Sequence, residues 1–291
     1  MAIARLADRT IVQVTGPEAR PFLDRLVTCD MDRVSVGRAR FGALLSPQGK
    51  LLADFIAMQP DETGETFWLD CPRAASGDLA RRLTMYKLRA KVSVAALPDA
   101  SVLAGWDDAA VPAGSVNITD PRLAALGWRA VLTGAGETPG FDDAGEDAYE
   151  AHRVALGIPE SGRDFAFGDA FAHEALMDQL GGVDFDKGCY VGQEIVSRMQ
   201  HRGTARTRVV ALAWQPGLAL AHGAEIKAGD RVLGTVASVS GDRGLGMIRV
   251  DRAADALAAG TAIEAGGVGL RFEKPDWVRF PYPDEITAPV A

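Results

Sequence analysis

Residues 39–58 read ARFGALLSPQGKLLADFIAM, and the fold turns on how this stretch is parsed. Two apolar runs, ARFGALLS and KLLADFIAM, flank Pro47-Gln48-Gly49. Pro and Gly at a reversal between strand-like runs make an antiparallel hairpin. The same letters end in Gly49-Lys50 and invite comparison with a phosphate-binding loop. That loop needs four residues between its glycines and a hydroxyl residue after the lysine. Here six residues separate Gly42 from Gly49 and Leu51 follows the lysine. The loop would have the wrong length and no hydroxyl for magnesium, so the stretch is a hairpin.

Working outward, TIVQVTG upstream is a strand, and Gly16-Pro17-Glu18 opens a helix with Phe22, Leu23 and Leu26 on one face. Downstream, ETFWLDC is a further strand. Leu79, Leu83, Tyr86 and Leu88 recur at roughly helical spacing over residues 76–89, and residues 91–97 return as a strand. A β-α-β-β-β-α-β order that mixes hairpins with helices predicts an α+β fold rather than a doubly wound sheet. SVLAGW and GWRAVLTG are further strands, and residues 134–147 form a surface loop. Gly134-Ala-Gly136-Glu-Thr-Pro-Gly140 has the wrong spacing for a dinucleotide loop. A helix is expected over Asp147–Leu156, stopped by Gly157 with Pro159 beyond, and another from about Gly192 to Gln200. After Gly203 short β runs alternate with Gly and Asp turns, the pattern of a small barrel. Two domains are expected, 1–205 and 206–291, with little structure in the tail after Trp277.

The chain has 291 residues, 47% hydrophobic and 24% charged, enough to bury a core and unlike a disordered protein. A net charge of −8 disfavours general nucleic-acid binding, which runs on excess Lys and Arg. No run approaches a membrane span, and MAIARLADRT places charges where a signal peptide needs an apolar block. The expectation is a cytoplasmic protein. Three cysteines without a CxxC and four histidines without an HxxxH argue against a disulfide framework and a self-contained metal site.

The densest motif is Lys187-Gly188-Cys189-Tyr190-Val191-Gly192-Gln193-Glu194. Two glycines permit a close backbone approach or a positive φ. Cys189 beside Lys187, and ahead of a helix start, is placed where a thiolate is favoured. Gln193 and Glu194 can accept ligand N–H groups or cap the turn. Arg198, His201, Arg202, Arg206 and Arg208 follow as a local basic cluster.

KGCYVGQE resembles the signature of the YgfZ family, folate-binding proteins related to the glycine-cleavage T protein (aminomethyltransferase). Three further blocks are similar to that family: TGPEARPFLDRLVTCDMDRV with GALLSPQGKLLADF, YEAHRVALGIPESGRDF at 149–165, and the stretch 173–209 around the signature. YKLRAKVSV at 86–94 is similar to the mitochondrial iron–sulfur-assembly branch. The resemblance covers roughly residues 10–210 and implies a folate-binding α+β part with mixed and antiparallel sheets, followed by a C-terminal β-barrel.

It further implies an accessory protein for iron–sulfur protein maturation or repair, a tRNA-modifying enzyme among its clients, rather than an enzyme in the ordinary sense. Tetrahydrofolate or a derivative is the implied ligand. Iron–sulfur client proteins or assembly factors are the implied partners. Asp54 matches the strand carboxylate that approaches the folate nitrogens. Phe41 and Asp70 are candidates for the same cleft, as are Tyr190, Gln193, Glu194 and, for the glutamate tail, Arg198. Cys189, activated by Lys187, would supply the sulfur chemistry. The alternative is a tetrahydrofolate-dependent aminomethyltransferase. Two features count against it: Ala155 stands where transferases carry a pterin-binding Glu, and Cys189 is absent from ordinary T proteins; Leu176, where relatives often have Asn, is a further departure that bears on the folate pose.

Overall fold

The computed structural model describes residues 1–134, 141–203 and 205–286. It contains two compact units. One comprises Met1–Tyr149, Phe167–Ala172 and Leu180–Ser197, the other Glu150–Ala166, His173–Gln179 and Arg198–Ala291. The chain therefore passes between units several times, where the sequence suggested one cut near residue 205.

The first unit contains strands β1 (Ala2–Arg5), β2 (Arg9–Thr15), β3 (Arg40–Leu45), β4 (Leu51–Met58), β5 (Thr66–Pro72), β6 (Ser93–Leu97), β7 (Ser101–Trp106), β8 (Val116–Thr119) and β9 (Trp128–Leu132). Its helices are α1 (Ala19–Asp24) and α2 (Arg73–Tyr86). Helix α3 (Glu146–Ala155) begins in this unit and ends in the other, as does α4 (Gln193–Arg202). The hairpin of residues 39–58 becomes β3–β4 within a five-stranded sheet of order β3-β4-β5-β2-β6. A four-stranded sheet, β1-β7-β9-β8, completes the unit, and every named pairing is antiparallel.

Register explains the composition of β4. Ala43 lies opposite Asp54, Phe41 opposite Ile56, and Ile56 opposite Asp70. Cross-strand partners share a face, so these five side chains point to one side. The other side presents Leu44, Ala53, Phe55, Ala57, Leu69 and Cys71 to Phe22 and Leu23 of α1 and to Leu79 and Leu83 of α2. Both faces are covered, so β4 reads as a nearly continuous apolar run. Truncating the fully buried Phe55 to Ala is expected to cost about 3–5 kcal/mol. Helix α2 buries Ala75, Leu79 and Leu83 at four-residue intervals, and starts three residues before the expected position.

In the second unit, strands β10 (Thr207–Ala213), β11 (Glu225–Ala228), β12 (Arg231–Ser240), β13 (Arg243–Arg249), β14 (Ile263–Ala265), β15 (Val268–Gly269) and β16 (Arg271–Phe272) form an antiparallel sheet of order β15-β14-β11-β12-β13-β10-β16. It curls into a nearly closed barrel around Leu212, Trp214, Ile226, Val236 and Ile248. The α+β class and the terminal barrel are as expected. The barrel region also contains a helix, α5 (Val250–Ala258), which the sequence reading passed over; its Val250, Ala253 and Ala256 join the core. The tail is corrected as well. Tyr282 is buried, and its hydroxyl accepts the Ala211 N–H at 3.0 Å, fixing the chain to β10. Residues 135–140 of the expected surface loop, and Pro289 of the tail, lie outside the described residues.

Candidate functional site

The structure brings Phe41, Asp54 and Asp70 onto one face of the five-stranded sheet, through the register given above. All three are buried, Asp54 at 7% exposure. Asp70 is not a ligand-facing carboxylate. Arg9 Nε donates to its Oδ1 at 2.6 Å, and Arg129 Nη1 donates to its Oδ2 at 3.2 Å. Its expected place in the cleft is therefore corrected: two guanidinium groups occupy it.

The charges continue from there. Arg129 Nη2 donates to Asp120 Oδ2 at 3.3 Å and to Tyr149 Oη at 2.7 Å. Arg122 donates to both Asp120 oxygens, at 3.0 and 2.7 Å, and to Tyr149 Oη at 2.9 Å, while its guanidinium stands 6.0 Å from the Phe41 ring centre. Burial raises the Asp120 pKa, but the charges and hydrogen bonds of Arg122 and the charge of Arg129 outweigh it and bring it down to about 2. Arg9, Arg122 and Arg129 thus meet Asp70 and Asp120 under a low-dielectric cover, where each ion pair and hydrogen bond is strengthened. Arg129 Nε is buried without a hydrogen-bond partner among the described residues.

The signature loop is built differently. The Lys187 side chain is 2% exposed, and its ammonium donates to the carbonyls of Asp24, Val27 and Cys29 at 2.6, 2.9 and 2.7 Å, with Asp24 Oδ1 at 3.0 Å. Three carbonyls take the three donors an ammonium has. The expected activation of Cys189 by Lys187 is corrected accordingly: the charge points inward and fastens the loop to the end of α1. Asp184 adds a second fastening, accepting from Asp30 N–H at 2.7 Å, Arg40 at 2.6 Å and Arg33 at 3.2 Å. Thr28 Oγ1 donates to Gly182 O at 2.6 Å and accepts Ala43 N–H at 2.9 Å.

The far end of the loop is fixed by close backbone packing. Gly192 has φ +82°, and a Cβ there would lie 2.6 Å from Ser46 O in the β3–β4 turn. Gly49, in that turn, has φ +79°, and a Cβ would lie 2.8 Å from Ile195 Cβ. Gly188, in contrast, has open space around it and no left-handed φ. Between the two fastenings Cys189 is exposed, whereas Cys29 and Cys71 are buried and burial pushes their thiols up to about 12. Tyr190 is half-buried; burial, then Asp184, pushes its phenol up to about 12. Gln193 Oε1 accepts the Tyr190 N–H at 3.1 Å, the capping alternative of the two expected for it. Glu194 and Arg198 are exposed on α4. Arg208 leaves the expected basic cluster: it is buried and donates to Asp178 Oδ1 at 2.8 Å.

Tyr149 and Arg153 of α3 are buried as well. Arg153 is fully buried in the second unit, donating to Glu150 at 2.7 and 2.5 Å, Asp164 at 2.7 Å and Ser238 Oγ at 2.6 Å, with Glu160 at 3.4 Å. Three carboxylates raise its already high pKa against the opposing effect of burial. Sequence reasoning missed Arg9, Asp120, Arg122, Arg129, Thr28 and Asp184. Only Asp184, three residues before Lys187, carried a local hint of its role. Among the described residues no group of three His, Cys, Asp or Glu side chains is arranged to hold a metal ion, and no helix is long and apolar enough to cross a membrane.

Comparison with known proteins gives these arrangements a family. Residues 7–103 match the GCVT N-terminal domain, and residues 206–280 match the CAF17 C-terminal beta-barrel domain. The iron-sulfur cluster assembly factor IBA57, mitochondrial, of Homo sapiens is 31% identical over 303 residues, covering 95% of this chain and 85% of the relative. The Mus musculus protein of that name is 30% identical, covering 94% and 84%. The homolog from Pyricularia oryzae is 35% identical over 217 residues, covering 70% of this chain and 55% of its own length. Among solved structures, the glycine cleavage system aminomethyltransferase T from Bartonella henselae superposes with a TM-score of 0.75 at 18% identity, over 97% of this chain and 87% of that one, a likeness of fold. The relatives are named as mitochondrial proteins, which overturns the cytoplasmic expectation. They also shift the resemblance from YgfZ to a neighbouring branch. The full-length likeness, the two domain matches and the aminomethyltransferase-like fold together establish that this chain belongs to the IBA57 family of iron–sulfur cluster assembly factors.

Proposed function

We propose that this protein is an accessory factor in the assembly or repair of iron–sulfur proteins, and that Cys189 is its point of contact with a cluster, or with sulfur in transit. One observation carries the reading: a single exposed thiol sits on a loop whose two ends are fastened by buried interactions. A soft sulfur donor suits iron, and a loop with fixed ends offers that donor in one place without an ordering cost on contact. The contact needs no metal site within the chain, because the cluster is cargo shared with a client or another assembly factor.

The same reading gives tetrahydrofolate the sheet face of the first unit. Phe41 would stack on the pterin, Asp54 would accept its N–H groups, and Arg129 would donate to an edge oxygen. Bound folate would supply a one-carbon carrier or a redox-active ring. Tyr190, Gln193, Glu194 and Arg198 are assigned supporting positions around the loop rather than the ring. Clients that include a tRNA-modifying enzyme remain part of the proposal, as in the YgfZ branch.

The test is complementation in cells lacking their own factor, read as activity of an enzyme dependent on a [4Fe–4S] cluster. Cys189→Ala should fail to restore activity although the protein accumulates normally; full restoration sinks the thiol's role. In parallel, Asp54→Asn should weaken tetrahydrofolate binding by calorimetry and leave thiol labelling intact. The aminomethyltransferase fold supports a second reading, one-carbon transfer. Tetrahydrofolate-dependent release of formaldehyde that disappears in Asp54→Asn would select it.

A further inference from the structure

The C-terminal end of α2 carries a surface that neither the thiol nor the sheet face uses. Residues 81–91 read RRLTMYKLRAK, five cations in eleven positions of a chain whose net charge is −8. Arg81 and Arg82 share one carboxylate, Asp78, which leaves one positive charge over. Lys87, Arg89 and Arg25, which follows α1, form no ion pair among the described residues. These three line a cavity of about 390 Å³ together with Phe22, Leu26 and Tyr86. Glu18 also lines it, its carboxylate accepting the Lys91 backbone N–H at 2.6 Å, so three cations and one carboxylate surround an apolar patch.

The apolar side chains beside it are the second observation. Met85 is 64% exposed and Leu88 is 86% exposed. Leu88 also has φ +45°, a left-handed conformation in which a helix end ordinarily places Gly or Asn. Neither backbone geometry nor core packing calls for leucine there. A branched apolar residue that strains the chain and faces solvent has the character of a contact residue.

We propose that this surface docks a partner protein through an acidic segment with an apolar anchor. The anchor would enter the cavity against Phe22 and Leu26, and flanking Asp or Glu side chains would pair with Arg25, Lys87 and Arg89. An extended polyanion or an anionic bilayer would meet the repulsion of the remaining, acidic surface. A short acidic segment fits the patch and no more. The inference stands apart from the role of Cys189, since it rests on other residues and reads out in binding alone.

The test uses the full chain and a fluorescein-labelled fifteen-residue peptide of Asp and Glu with a central Leu-Phe pair. Controls are the same peptide with Lys for each acid, vesicles of equal parts phosphatidylcholine and phosphatidylglycerol, and single-stranded DNA. The acidic peptide should bind saturably and the basic one should not. Arg25→Glu with Arg89→Glu should weaken binding at least about tenfold. Leu88→Gly should weaken it several-fold while leaving the thermal unfolding midpoint unchanged or raised, because glycine relieves the strain. A purely structural role for Leu88 would not lower affinity in a protein that is equally or more stable. No saturable binding at millimolar peptide overturns the proposal. So does equal binding of the two peptides, unchanged affinity in the charge-reversed variant, or charge-dependent capture of the vesicles or DNA in place of the peptide.

Discussion

The face of the five-stranded sheet and the signature loop both place charged residues in the interior of one unit, and they use them in opposite ways. On the sheet, Arg9, Arg122 and Arg129 meet Asp70 and Asp120 side chain to side chain, so that charge holds charge. At the loop, Lys187 meets backbone carbonyls, so that charge holds the chain itself. The first arrangement joins strands of the two sheets, β2 and β5 to β9, through buried polar groups. The second leaves the Cys189 thiol exposed. The partner of a buried ion thus tells whether it serves a network or a tether.

The comparison can be broken most sharply at Asp70. Asp70→Asn leaves two buried guanidiniums short of their counter-charge and should destabilise the protein by about 3–5 kcal/mol in urea unfolding. A loss below about 1 kcal/mol would mean that the sheet cluster does not hold the strands as described. Lys187→Met should cost about 3 kcal/mol, since three carbonyls lose their donor. It should also make the loop accessible to limited proteolysis before global unfolding, which Asp70→Asn should not. Acid gives a third test. The carboxyl of Asp120 is depressed to about 2 in the folded state, so its contribution is fully present above the ordinary carboxylate range. It should be lost as pH falls from about 4 towards 2, on the order of 2 kcal/mol. Asp120→Asn should flatten that part of the stability profile.

Gly192→Ala should cost about 2 kcal/mol, combining a positive φ with a Cβ forced against Ser46 O. Its effect should fall on the loop, read as a faster rate of Cys189 alkylation. The smallest expected change is Cys189→Ala, within about 0.5 kcal/mol of the parent because the side chain is exposed. In the native protein it should remove all rapid maleimide labelling, with Cys29 and Cys71 reacting only after denaturation. Rapid labelling that survives the substitution would erase the distinction between the three cysteines.

The hairpin, the α+β class and the terminal barrel were legible because they rest on local alternation and turn chemistry in β3, β4 and β10–β13. Helix α5 was legible too, from its Ala-rich run ending at Gly260, and was lost only to the β pattern around it. The short strands β1 and β8, of four residues each, carry too few positions to show a period. At the site, Phe41, Asp54 and Cys189 stood out by residue type and motif. Arg9, Arg122 and Arg129 did not, because their partners lie far along the chain and only the folded register of β2, β5 and β9 brings them together. Lys187 shows the opposite failure. Two residues from Cys189 in sequence, it turns its ammonium inward to three carbonyls at and just after the end of α1.

That tether has a consequence for quality control. The carbonyls that grip Lys187 belong to residues 24–29, and the glycine that receives Gly192 belongs to the hairpin at 46–49. Both are laid down more than a hundred residues before the thiol leaves the ribosome. A chain that has misfolded early therefore lacks the anchor points that fix the loop around Cys189, and only a finished molecule holds that loop at both ends.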